Sequence, residues 1–177
     1  MLNIPEAPDV DIRFARRIYR IILFSTLAWL ILIMLPPLFI QFGGVFEKIS
    51  SYVYFAFSPL CHQEEARSFS IAGSQIAVCS RCSMIYGGFA AGVLAYPFIR
   101  RISNINSPPL WMLVIPAILL VLDVVIDNAG IFRNSFLTRS VTGFAIGFAL
   151  TFFLIPGFIR FFFELSTFFG SKAGERT

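Results

Sequence analysis

All three cysteines and the only histidine of this chain lie within residues 61–82. Cys61 and His62 are adjacent, and Cys79 and Cys82 follow with two residues between them. A Cys-x-x-Cys spacing lets two thiolates reach one zinc ion at about 2.3 Å. The alternatives are a redox disulfide between Cys79 and Cys82, or cysteines that serve only as small packing residues. We favour a metal site, with zinc as the expected cofactor.

The sequence leaves the remaining ligands of this metal open. Adjacent residues of an extended chain point to opposite sides. Cys61 and His62 therefore do not both bind one metal unless the chain turns between them. The ligand set is either Cys61, Cys79 and Cys82 plus an outside ligand, or His62 with the Cys79 and Cys82 pair.

A second group of polar residues is centred on Asp123 and Asp127, which share one helix face because they are four positions apart. Asp123 lies deeper, among apolar residues. A carboxylate inside a membrane is costly, which favours a functional role. The structural alternative is an ion pair with Arg139. Further polar residues are expected at the same end of the molecule, namely Arg67, Arg81, Asn128 and Thr142.

These residue types suggest an enzyme that acts on an anionic substrate. A bound metal polarises water or a substrate oxygen, and Asp123 or Asp127 is the candidate general base. Arg81 and Arg139 present the planar donor groups that bind phosphate or carboxylate. The candidate substrate-binding residues are Arg67, Asn128 and Thr142.

The composition indicates a membrane protein that must position these residues with apolar helices. Apolar residues make up 57% of the 177 residues and charged residues 14%, against about 25% charged residues in soluble proteins. This balance excludes a disordered chain, and three cysteines are too few for a disulfide-rich secreted scaffold. The net charge of +4 fits cytoplasmic Lys and Arg rather than nucleic-acid binding.

Charged residues separate four long uncharged runs, at 21–46, 83–99, 102–122 and 140–159. A spanning helix needs about 20 mainly apolar residues, so we predict transmembrane helices at 20–42, 80–99, 109–128 and 138–163. The predicted organisation is a cytoplasmic N-terminal segment 1–19, a transmembrane domain 20–163 with an outer loop 43–79, and a cytoplasmic tail 164–177. The first run is too long for a signal peptide and is expected to be retained.

The distribution of Lys and Arg predicts that both termini are cytoplasmic. The inward set then has nine members: Arg13, Arg16, Arg17, Arg20, Arg100, Arg101, Arg160, Lys172 and Arg176. The outward set has five: Lys48, Arg67, Arg81, Arg133 and Arg139. The metal residues and the aspartates all fall at the outer face in this topology.

The outer loop is expected to contain an interfacial helix and a hairpin. After Gly43-Gly44, apolar residues recur at helical spacing, with a polar side formed by Glu47, Lys48, Ser50 and Ser51. The stretches 68–71 and 76–78 alternate around a turn at 72–75 and predict a short hairpin. The motifs Gly88-x-x-x-Gly92 and Gly143-x-x-x-Gly147 indicate close helix packing. The fold class is therefore an all-α membrane protein, a bundle of four transmembrane helices with an extracytoplasmic interfacial helix and a short metal-knuckle loop.

The signature of these residues resembles a known family. Cys61-His62-Gln63, Arg67-Ser68-Phe69 and Val78-Cys79-Ser80-Arg81-Cys82 are similar to the pattern of small prokaryotic membrane proteins catalogued as domain of unknown function 2085. Asp123, Asp127 and Arg139-x-x-Thr142-Gly143 extend the resemblance over about residues 55–147. It implies the cytoplasmic membrane of a bacterium or archaeon, and it brings no established activity.

The sequence is compatible with three functions. The first is a metal-dependent hydrolase or transferase that acts on an anionic lipid or lipid-linked substrate at the outer leaflet. The second is an accessory subunit of a larger membrane complex, held together by a structural zinc site. The third is a thiol-disulfide oxidoreductase, because the chain also resembles the quinone-linked disulfide-forming membrane enzymes. Those enzymes use two cysteine pairs, whereas this chain has three cysteines.

Overall fold

A computed structural model describes the backbone of residues 10–174 and the side chains of residues 10–169. The chain forms helix α1 (Ile12–Ile40), helix α2 (Gly44–Phe57), a 3-10 turn (Glu65–Arg67) and a hairpin of β1 (Ser68–Ile71) and β2 (Ser74–Cys79). Helices α3 (Ser80–Ile99), α4 (Trp111–Asn128) and α5 (Phe136–Gly174) follow. The side chains of Lys172 and Arg176, both in the predicted inward set, lie outside the described residues.

Four helices, α1, α3, α4 and α5, are long and apolar enough to cross a membrane. This confirms the predicted four-helix fold class, with differences in length at two ends. Helix α1 begins at Ile12, because the Asp11 carboxylate accepts a hydrogen bond from the backbone N–H of Arg13 at 2.9 Å and caps the helix. Helix α5 continues to Gly174, well beyond the predicted end of the span.

Helices α3 and α5 form the central pair of the bundle, and their glycines set how closely they approach. A Cβ atom on Gly143 would lie 2.6 Å from the carbonyl oxygen of Arg81, and one on Gly147 would overlap the backbone of Ile85. Gly88 and Gly92 meet α5 in the same way, at Phe144 and Thr151. The two motifs therefore interlock, which confirms the predicted close packing.

Helix α2 packs along the end of α1, as one expects of a short helix that covers a bundle end. The Ser50 hydroxyl is buried and donates a hydrogen bond to the carbonyl oxygen of Pro36 at 3.0 Å. The expectation that Ser50 lies on the wet side of α2 is therefore wrong. Its hydroxyl bonds the carbonyl that directly precedes Pro37. The two successive prolines in this segment lack backbone N–H donors and so interrupt the hydrogen bonds of α1.

The predicted hairpin is present, and its second strand places Cys79 directly before the start of α3. Strands β1 and β2 pair antiparallel, and the turn at Ala72 and Gly73 has positive φ at both residues. The Gln41 side chain donates to the Ala72 carbonyl at 3.1 Å, and the Tyr54 hydroxyl donates to the Gln75 carbonyl. The hairpin is thus fixed to the end of α1 and to α2.

Candidate metal centre

The three cysteines converge from three elements. Cys61 follows α2, Cys79 ends β2, and Cys82 lies in the first turn of α3. Their sulfur atoms all lie within 4.8 Å of one another. Three thiolates that share one zinc ion at about 2.3 Å are roughly 3.8 Å apart in tetrahedral geometry. The cluster therefore has the composition and nearly the spacing of a thiolate metal site.

The Cys61 segment is held in place by Gln63. Gln63 has a φ of 51°, so the chain turns sharply directly after His62. Its side-chain amide donates to the carbonyls of Tyr54 at 2.8 Å and Ala77 at 2.9 Å, and so ties α2 to β2. Sequence reasoning assigned no role to Gln63, although it stood within the recognised Cys61-His62-Gln63 string.

The structure groups Cys61, rather than His62, with the other two cysteines. The Cys61 sulfur is buried and accepts a hydrogen bond from the backbone N–H of Cys79 at 3.1 Å. His62 is exposed and lies outside the group of three sulfur atoms. This arrangement matches the first of the two ligand sets that the sequence left open, with three cysteines and a further ligand from outside.

The environment of Cys61 favours its thiolate form. Hydrogen bonds from the thiols of Cys79 and Cys82 lower the pKa of Cys61 well below its ordinary value, against the opposing effect of burial. The thiolate is the form of cysteine that binds metals. The neighbouring sulfur atoms are thus placed where they stabilise negative charge on the buried cysteine.

Both aspartates are paired with arginines. Arg81 Nη2 lies 2.5 Å from Asp123 Oδ2, and Arg139 Nη2 lies 3.0 Å from Asp127 Oδ2. Asn134 completes the arrangement, because its backbone N–H donates to Asp127 Oδ1 at 3.0 Å and its side chain donates to the Asp123 carbonyl at 2.8 Å. Each intramembrane carboxylate therefore has a compensating charge. The pair with Arg139 was foreseen, and Asn134 was missed.

A polar cavity of about 370 Å³ joins the cysteines to the arginines; we call it the metal cavity. It is lined by Cys61, His62, Glu64, Arg67, Cys79, Ser80, Arg81, Cys82, Asp127, Asn128 and Arg139, with Leu60 and Val124 as apolar walls. Three buried polar atoms of these residues have no hydrogen-bond partner among the described residues, namely Ser80 Oγ, Arg81 Nε and Arg139 Nε. Such unpaired buried groups are uncommon in folded proteins.

Two of the predicted site residues do not line this cavity. Asp123 is absent from the lining and faces Arg81 instead. Thr142 is also absent, and its hydroxyl donates to the Thr138 carbonyl at 2.8 Å within α5. Arg67 lines the cavity but is paired with Glu64 at 2.9 Å. Ser80 lines it and was missed, because a lone serine carries no distinctive sequence signal.

Comparison with known proteins supports the same region of the chain. The family model DUF2085, described as a predicted membrane protein, matches residues 61–153. That match contains the three cysteines, both aspartates and the arginines paired with them. The uncharacterized protein MJ1492 of Methanocaldococcus jannaschii is 34% identical over 152 residues, which cover 84% of this chain and 97% of that protein. No solved structure matches the chain.

Proposed function

The chain belongs to the DUF2085 family of predicted membrane proteins, and we propose that it is a metal-dependent hydrolase or transferase. Its expected substrate is an anionic lipid or lipid-linked molecule at the extracytoplasmic leaflet. The metal is expected to be zinc or another ion that prefers thiolate ligands. The chain is a multi-pass membrane protein, and its cluster of three cysteines could hold a metal ion.

One observation carries this proposal: the three cysteines line a polar cavity that is also lined by Arg81 and Arg139. Zinc sites with four protein ligands are structural, whereas catalytic sites have three protein ligands and one open position. A cluster of three cysteines with an adjoining cavity fits the catalytic type. The two arginine side chains fit a negatively charged substrate group next to the metal.

The proposed roles of the residues follow from their positions. Arg81 and Arg139 bind the anionic group, because both side chains line the cavity. Asp127 is the better placed general base, because it lines the cavity whereas Asp123 does not. Asp123 then serves to orient Arg81. A metal bound by Cys61, Cys79 and Cys82 would supply Lewis-acid polarisation of water or a substrate oxygen.

The proposed orientation places the metal cavity outside the cytoplasm. The helix ends on the cavity side carry Arg81 and Arg139 in ion pairs, whereas the opposite ends carry the larger share of Lys and Arg, as in cytoplasmic loops. A cysteine introduced at Ser74 is expected to react with a membrane-impermeant maleimide added outside the cell, and one at Ser103 is not. The wild-type chain gives the background labelling, and the reverse pattern would overturn the orientation.

A specific observation keeps the accessory-subunit alternative open: His62 lies at the edge of the same cavity. A rotation that brought its imidazole to the metal would give four protein ligands and a closed structural site. A redox function would instead require a cysteine pair that alternates between dithiol and disulfide, and the three free cysteines correspond to the dithiol state.

Cobalt substitution separates an open metal site from a closed one. Protein loaded with Co²⁺ should show the absorption bands of a tetrahedral thiolate site, and added imidazole should shift them by occupying the open position. We expect the His62→Ala variant to behave identically. A spectrum that responds to imidazole only after His62→Ala would establish a closed site and favour the accessory subunit. A Cys79–Cys82 disulfide in the purified protein would favour the oxidoreductase.

A further inference from the structure

A second polar cavity shares lining residues with the metal cavity; we call it the vestibule. It has a volume of about 790 Å³ and contains three arginines, Arg67, Arg133 and Arg139. Five residues line both spaces, namely Glu64, Arg67, Asp127, Asn128 and Arg139. A molecule in the vestibule would therefore contact residues that also border the metal cavity.

The vestibule has an excess of positive charge. Its two carboxylates are both engaged, Glu64 with Arg67 at 2.9 Å and Asp127 with Arg139 at 3.0 Å. Arg133 is exposed and makes no ion pair or hydrogen bond with residues 10–169. Three arginines against two carboxylates leave one net positive charge, and Arg133 carries it. A charged concave surface of this kind concentrates anions.

The vestibule also has hydrogen-bond donors without acceptors. Arg139 is 7% exposed, and its Nε has no partner among the described residues although the side chain borders both spaces. The side-chain amide of Asn128 likewise makes no hydrogen bond within the described part of the chain. Asn128 and Arg133 are exposed, so their donors are open to an acceptor-rich ligand.

We propose that the vestibule binds a phosphate group and that Arg133 is the residue that captures it. This inference rests on the proposed function and names the substrate class of the same site as phosphorylated. A phosphate presents tetrahedral oxygens to donors on separate residues, here Arg133, Arg139 and Asn128. A carboxylate has only two oxygens in one plane, so it suits a single guanidinium better than three separated donors.

The test measures binding of two probes to the purified full-length protein. Inorganic phosphate is titrated against protein in detergent, and phosphatidic acid is compared with phosphatidylcholine in nanodiscs. Arg133→Gln should weaken phosphate binding about tenfold, the effect of losing a charge-assisted hydrogen bond. Arg101→Gln is the matched control, because it removes an exposed arginine at the other end of the bundle.

The two probes distinguish the source of the phosphate. Binding of phosphatidic acid alone identifies a lipid headgroup, and binding of inorganic phosphate as well identifies a site open to soluble phosphate. Equal affinity in Arg133→Gln and wild type, or no binding of either probe, would overturn the inference.

Metal analysis of the same samples keeps this result separate from the proposed function. Phosphate binding that depends on Arg133 in a metal-free protein would support the vestibule and count against the metal enzyme. An open metal site without phosphate binding would do the reverse.

Discussion

Replacing Cys82 with serine is expected to abolish metal binding, from about one ion per chain in the wild type to almost none. The substitution removes one of three clustered sulfur ligands, and a serine hydroxyl is a poor substitute for a thiolate at neutral pH. The thermal midpoint should also fall, because a ligand that binds only the folded state stabilises it. Metal content of protein purified without added metal, measured by mass spectrometry, is the direct readout.

Ser83→Ala is the control for this variant, since it alters the next residue of the same helical turn, which does not line the metal cavity. It should keep its metal and its thermal midpoint. A Cys82→Ser protein with a full complement of metal would remove the basis of the proposed metal centre.

Asp123→Asn should destabilise the protein by about 3 kcal/mol, because breaking a buried ion pair leaves the other charge uncompensated. The side chains of Asp123 and Arg81 are 9% and 21% exposed, so water compensates little of the loss. An unpaired carboxylate in a membrane would respond in the opposite way, since its neutralisation would relieve a desolvation cost. The sign of the change in thermal midpoint therefore tests the ion pair itself.

Two further variants make this test specific. The double variant Asp123→Leu/Arg81→Met should recover most of the lost stability, because apolar residues often replace a buried ion pair without net cost. Glu164→Gln breaks an exposed pair with Arg160 and should change the thermal midpoint little. An unchanged midpoint in Asp123→Asn would mean that Arg81 does not depend on this carboxylate.

Hydropathy was enough to locate the four long helices, because each charged residue within a membrane span is expensive. The loop was also predicted from local pattern. The alternation over 68–78 predicted the hairpin, and the glycine pair at 43–44 predicted the start of α2. The predicted ends of the helices were less accurate than their predicted positions in the sequence. Capping by Asp11 and continuation of α5 past the span depend on interactions outside the apolar runs.

Which arginine pairs with which aspartate was decided only by the folded structure. Arg81 and Asp123 are 42 positions apart, and they meet because α3 and α4 both pack against α5. The sequence predicted that Arg139 forms an ion pair with the aspartates, but it did not indicate whether the partner is Asp127 or Asp123. The choice of Cys61 over His62 likewise depends on the turn that Gln63 makes with α2 and β2.

The sequence by itself determined that this protein is a four-helix membrane protein with its candidate site residues at one end of the bundle, because hydrophobic burial and charge placement act locally along the chain. Only the tertiary structure decided which of those residues share a cavity. Asp127, Arg139 and the three cysteines do, whereas Asp123 and Thr142 do not. The physical reason is that a cavity arises where separate helices and loops pack around a space, and that packing depends on side-chain shape rather than on hydropathy.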